Sequence, residues 1–124
     1  MSKEYSASPE GERFPLPTQE DYGNEFHRLQ SLAAEHRNMG REIVVVVGMG
    51  FVGAVMAAVV ADTKDESGNP TKFVIGMQRP STRSYWKIPM LNRGESPVKA
   101  EDPEVDVLIR RCVEEKRSLV ATYN

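Results

Sequence analysis

Hydrophobic and polar positions alternate with different periods along this chain, and each change of period marks an element. Residues 1–17 have few apolar anchors among Ser, Pro, Glu and Gly, which predicts a mobile or surface-hugging arm. Tyr22, Phe26, Leu29 and Ala33 then recur at helical spacing, with Leu32 beside them. Thr18 is placed to cap that helix, Gln19, Glu20 and Asp21 suit its first turn, and Gly40 ends it. Ile43 to Val47 is an unbroken β-branched run, the pattern of a strand buried on both faces. A small-residue segment from about 51 to 62 predicts a helix, and the polar stretch Asp62 to Pro70 a turn. Thr71 to Met77 predicts a second strand, completing a parallel, right-handed βαβ unit.

Between Ser81 and Gly94 a short helix is expected through Tyr85, Ile88 and Leu91, kinked or broken at Pro89. Asn92 to Val98 is a loop. Asp102, Pro103 and Glu104 form a helix start, followed by one apolar stripe of Val105, Leu108, Ile109, Cys112 and Val113. Ser118 to Thr122 predicts a third strand. The sum is an α/β chain of order β-α-β-α-α-β, a partial Rossmann-like, doubly wound parallel sheet with an N-terminal helical extension. Residues 1–41 are assigned to the arm and amphipathic helix, and 42–124 to the first half of a dinucleotide-binding Rossmann domain. In that order the strand at 42–47 lies at the far side from the third strand with its outer edge bare, which is an aggregation hazard. The expectation is that a partner strand exists, either in missing C-terminal sequence or in another subunit.

Composition narrows the function classes. The 124 residues suffice for one domain with a modest core. A net charge of −2 gives no broad basic surface for nucleic acid. No apolar run approaches the ~20 residues of a membrane span, and the first residues lack the apolar core of a signal peptide. One cysteine excludes an internal disulfide, and a cytoplasmic location is expected. Cys112, on an apolar stripe, is expected to be a buried core thiol. His27 and His36 are too far apart for one helical turn to make a metal pair, and both are expected to be solvated. No metal site is expected.

The junction between the first strand and its helix carries the chemistry. Gly48-Met49-Gly50-Phe51-Val52-Gly53 is a G-x-G-x-x-G placed between strand and helix, the order a dinucleotide site requires. Gly48 allows the sharp turn, Gly50 admits a pyrophosphate to the backbone, and Gly53 lets helix and strand pack closely. Free N–H groups and the positive dipole end of the helix would face the phosphates. At the end of the second strand, Gln78 and Arg79 occupy the edge where a cofactor ribose is read.

These residues resemble the UDP-glucose/GDP-mannose (nucleotide-sugar) 6-dehydrogenases. The family opens with G-x-G-[YF]-V-G, matched by Gly48 to Gly53 and continuing through Ala54 and Val55. Its second strand is similar to Val74-Ile75-Gly76-Met77 up to Gln78, and its N-x-G-x-[SP]-P-[IV] loop to Asn92-Arg93-Gly94-Glu95-Ser96-Pro97-Val98. A helix start at Glu101 to Val105 and a strand ending Ala121-Thr122-Tyr123-Asn124 keep position with altered residues. The resemblance covers roughly 42–124 and implies the N-terminal, NAD-binding part of such an enzyme, apparently truncated.

It further implies an oxidoreductase of polysaccharide biosynthesis that oxidises a UDP- or GDP-sugar C6 alcohol to the acid in two steps with NAD. The family's cysteine, lysine, asparagine and aspartate are not matched here, so no residue is assigned as catalytic and the chain alone is expected to be inactive. Cofactor contacts are expected from Gly48, Gly50, Phe51, Val52, Gly53, Gln78, Arg79, Arg83 and Thr122. Gln78 replaces the family's ribose-binding Asp and does not repel a 2′-phosphate, so NADP is possible beside NAD, with Arg79 and Arg83 able to pair with that phosphate or to remain surface charges. Trp86 flanks the adenine pocket or, as favoured for a lone tryptophan, is buried under the first helix. The partners implied are a nucleotide sugar in the full-length enzyme and either a homo-oligomer or completion of the sheet by further sequence. The alternative is a non-catalytic nucleotide-binding or assembly module on the same half-fold, and a third reading is an oxidoreductase or methyltransferase with an unrelated substrate domain.

Overall fold

The first strand of the central sheet begins where the helical period gives way to a β-branched run. The computed structural model describes residues 4–97 and 103–123. A small antiparallel hairpin comes first, β1 (Tyr5–Ala7) with β2 (Arg13–Pro15), followed by α1 (Gln19–Asn38). Then come β3 (Glu42–Val47), α2 (Phe51–Ala61), β4 (Lys72–Met77), α3 (Lys87–Asn92), α4 (Glu104–Arg110) and β5 (Leu119–Thr122). The main sheet is parallel, in the order β3-β4-β5, with Val44 opposite Val74 and Ile75 opposite Val120. This is the expected partial Rossmann-like half-sheet.

Side chains alternate across the sheet and define two faces. On one, Val44, Val46, Val74, Leu119 and Ala121 meet α2, α3 and α4. Ala54, Ala57, Ala58 and Ala61 are all fully buried there, at successive offsets of three, one and three. Their small side chains let the α2 backbone lie close to the strands, and Ile88, Leu91, Ile109 and Cys112 complete the cluster. On the other face a smaller cluster of Phe73, Ile75 and Val120 packs against Leu29 and Leu32 of α1 and against Ile43.

Local chemistry sets the element ends. Thr18 accepts from the Asp21 N–H while the Asp21 carboxylate accepts from the Thr18 N–H, a reciprocal cap for α1. Gly40, after the helix, has φ +81°. Pro89 is the third residue of α3, where its missing N–H falls among groups that have no intrahelical partner, so the helix tolerates it. The expected cap at Asp102 falls outside the described residues. Beyond α4 the chain makes a π-helical turn, Arg111–Glu115, with Lys116 N–H on the Arg111 carbonyl at 2.9 Å. That turn brings Arg111 and Lys116 together on the Asp62 carboxylate, at 2.9 and 2.7 Å.

Three expectations need correcting. The first residues are not merely an arm: β1 and β2 pair from Tyr5–Pro15 to Ala7–Arg13 and are tied down by Ser6 and by a Glu12–Arg93 ion pair at 2.9 Å. Three-residue strands, Tyr5-Ser6-Ala7 and Arg13-Phe14-Pro15, are too short for a hydrophobic period to announce them. β3 is not buried on both faces: Val45 is 57% and Val47 73% exposed, because β3 is an edge strand with no partner on its outer side among the described residues. His36 is not solvated. It is buried and stacked on Phe73 with ring centroids 3.8 Å apart, while Phe26 of the expected apolar stripe is half exposed.

Candidate functional site

The C-terminal ends of β3, β4 and β5 form one shelf, and the glycine-rich turn rises from it. Gly48 leaves β3 with φ +89°, a conformation that glycine adopts without strain, and its N–H bonds the Met77 carbonyl at 2.7 Å. Gly50 then starts α2 as an N-cap with no side-chain hydrogen bond. The first N–H groups of α2 therefore have neither an intrahelical acceptor nor a side-chain cap, and they carry the positive end of an eleven-residue helix. A Cβ on Gly50 would meet nothing within 4 Å, so this side of the turn is open for close approach. A Cβ on Gly53 would lie 1.8 Å from the Gly48 carbonyl oxygen. Gly53 is what allows the turn and the helix to touch.

The turn is braced from below by two contacts that the motif does not show. Met49 is 1% exposed and lies over Gly76, where a Cβ would come within 2.6 Å of its sulfur. The Met49 N–H donates to Gln78 Oε1 at 2.9 Å. Gln78 thus ties the end of β4 to the middle of the G-x-G. The Gly76 in an otherwise apolar strand was the available sequence signal for the first contact, since an isolated glycine there marks close approach. Nothing local pointed to the second.

Other expected contact residues are distributed around this shelf. Val52 is 70% exposed on the first turn of α2, and Phe51 opens that helix. Arg79 and Arg83 are exposed on the loop after β4. Thr122 reaches the same edge through its carbonyl, which accepts from the Gln78 N–H at 2.9 Å, but its side chain is fully buried on the α1 face. There its hydroxyl donates to Glu25 at 2.5 Å. Burial pushes the Glu25 carboxyl up, yet hydrogen bonds from Arg28 and Thr122, with the Arg28 charge, hold it below the usual carboxylate value. The neighbouring Tyr123 hydroxyl is pushed up to about 12 by burial and then by the charge of Glu25.

The chain has a likeness among solved proteins. The NDP-N-acetyl-D-galactosaminuronic acid dehydrogenase from Methanosarcina mazei Go1 is 37% identical, with a TM-score of 0.58, over 71% of this chain. The chain belongs to the nucleotide-sugar dehydrogenase family. It spans 18% of the length of that relative. No protein-family model and no curated protein matches it.

Family membership gives the loop after α3 a physical reading. Asn92 places its amide against β5 as a strand would: Nδ2 donates to the Ala121 carbonyl at 3.0 Å and Oδ1 accepts the Ala121 N–H at 2.8 Å. Gly94, two residues on, has φ +83° and sits against Glu114. The asparagine and glycine of the family's loop are thus fold-closing residues here. Cys112 is fully buried, with its thiol on the Ala58 carbonyl at 3.5 Å. Burial, then the Asp62 charge, pushes the thiol up, so it is a core group and no nucleophile. Trp86 is buried as well, but its backbone N–H bonds Ser6 of the hairpin at 3.0 Å and its indole N–H the Arg83 carbonyl at 2.7 Å. No group of three or more His, Cys, Asp or Glu able to hold a metal occurs among the described residues. No helix among them is long and apolar enough to cross a membrane.

Proposed function

We propose that this chain is the nicotinamide-dinucleotide-binding portion of an enzyme that oxidises the C6 alcohol of a nucleotide sugar. The observation that carries this reading is the uncapped α2 N-terminus set directly behind an open Gly50. Its N–H groups and dipole suit a pyrophosphate, and the fit of the turn to such a group follows from the empty space where a Gly50 side chain would stand. A bound nicotinamide would supply hydride acceptance. The chain's own residues bind and orient: Gly48 to Gly53 the pyrophosphate, Gln78 and its loop the adenosine ribose. On this reading the chain contributes binding and orientation, and no catalytic residue is assigned to it.

The test is energy transfer from Trp86 to NADH or NADPH on titration of the chain. Gly50→Val should fold, because nothing stands where its side chain would go, and should abolish binding by blocking the pyrophosphate. Saturable binding that survives this substitution, or equal binding of S-adenosylmethionine, overturns the reading. A non-catalytic assembly module is the second reading. It draws on the apolar groove lined by Phe26, Leu29, Ile43, Val45 and Ile75 beside the unpaired edge of β3, and absence of dinucleotide binding with concentration-dependent self-association would favour it.

A further inference from the structure

Two dinucleotide cofactors differ by one phosphate on the adenosine ribose, and sites of this fold tell them apart at the end of the second strand of the βαβ unit. In a site of this type, discrimination against a 2′-phosphate comes from a carboxylate at the end of the second strand, which accepts the ribose hydroxyls and repels added negative charge. Here that position is Gln78, and its carbonyl oxygen is already engaged by the Met49 N–H at 2.9 Å. What Gln78 has left to offer is an amide NH₂, a donor, which reaches the Arg79 carbonyl only at a long 3.5 Å.

The charge around it has one sign. From Gly48 to Ala61 and from Met77 to Gly94 the sequence contains no aspartate or glutamate, while the second segment carries Arg79, Arg83, Lys87 and Arg93. Arg93 is paired with Glu12 and Glu95. Arg79 and Arg83 have no side-chain ion pair or hydrogen bond among the described residues, and both are exposed. Their backbones are nonetheless held. The Arg79 carbonyl accepts from Ser84 Oγ at 2.9 Å, and the Arg83 carbonyl accepts from the Trp86 indole at 2.7 Å. The Ser84 N–H closes the turn on the Ser81 hydroxyl at 3.2 Å. The carboxylates that do approach this end of the sheet, Asp21 and Glu25, are committed to the Thr18 N–H and to Arg28 and Thr122.

We infer that the loop Gln78–Ser84 is a 2′-phosphate subsite, making the chain selective for NADP over NAD. The inference rests on the dinucleotide reading above. Two exposed guanidiniums on a loop whose backbone is pinned, without an acidic residue on that loop, suit a phosphate dianion in charge and in donor type. The Gln78 amide adds a donor that suits a phosphate oxygen.

The test is a paired titration of the full chain with NADPH and NADH, read by energy transfer from Trp86, with 2′,5′-ADP as competitor. Binding of NADPH at least tenfold tighter than NADH, displaced by 2′,5′-ADP, is expected. Arg79→Gln with Arg83→Gln should weaken NADPH at least tenfold more than NADH and so remove that preference. Gln78→Asp should reverse the preference. NADH binding as tightly as NADPH in the unsubstituted chain overturns the inference and leaves the dinucleotide site standing. Binding of neither overturns the site, and the inference with it.

Discussion

The two faces of the β3-β4-β5 sheet are held by different chemistry. Against α2 the centre of the contact is apolar, with four alanines, Val74, Ile109, Leu91 and Leu119, and polar contacts lie at the end of the helix, where Asp62 takes Arg111 and Lys116. Against α1 the buried apolar side chains are Phe73, Ile75 and Val120, and the helix is anchored towards its two ends by polar groups. Near its start Glu25 holds Thr122 and Arg28. Near its end His36 stacks on Phe73 and bonds Arg41 at 2.7 Å. Apolar burial is non-directional and roughly proportional to area, whereas a buried hydrogen-bonded carboxylate stabilises only with its partners in place. The first face is therefore sensitive to volume, and the second to the identity and protonation of single side chains.

The comparison is sharpened most by substitutions on the apolar face. Gly53→Ala places a methyl 1.8 Å from the Gly48 carbonyl oxygen, and the turn has to move; a loss of about 3 kcal/mol is expected, at the upper end of overpacking costs, measurable by urea denaturation. Leu91→Ala opens a cavity under α3 and should cost about 2–5 kcal/mol by the same measurement. On the α1 face Glu25→Gln should cost less, about 1–3 kcal/mol, because it weakens charge-assisted bonds to Arg28 and Thr122 without creating a void. A double-mutant cycle with Thr122→Val should show that the two residues couple; additivity would mean that the face is held by packing after all.

A smaller effect, specific to the polar face, concerns pH. Burial, then the Arg41 charge, holds the His36 imidazole below its ordinary value, although Glu35 opposes this. The unfolded chain then takes up the proton first on acidification. The stabilisation from neutral His36 is complete above the unfolded value of about 6.5 and is lost as pH falls from there towards the folded value. Denaturation midpoints of the unsubstituted chain should drop between neutral pH and about pH 5.5 more than those of His36→Phe. Equal slopes would remove His36 from the account. Smallest of all, Phe26→Ser, at a position 52% exposed, should change stability by no more than about 0.5 kcal/mol.

The same contrast explains what could be read from the sequence. The Ile43–Val47 run, the alanines of α2, the stripe Ile109–Cys112 and the glycine turn all follow from period and side-chain size, and the fold carries them where the pattern puts them. Glu25 and His36 were not legible as buried, because a charged or titratable residue on a mostly polar helix has the same local signature whether or not a partner waits across the sheet. The partners, Thr122 and Phe73, are 97 and 37 residues away in sequence. At the site, the three glycines announced themselves, while the brace from Gln78 to Met49 depends on β3 and β4 being in register. Spacing along the chain does not encode that. The hairpin of Tyr5–Pro15 escaped for a further reason: its strands are too short for an alternation to show.

The amide of Asn92 also gives the sheet a direction. By answering both the N–H and the carbonyl of Ala121, it terminates hydrogen bonding on the β5 side as a stopper would. At the opposite margin the outward backbone groups of β3 have no such stopper among the described residues. A strand added to this sheet would meet open backbone groups beside Val45 and Val47 and an occupied pair at Ala121.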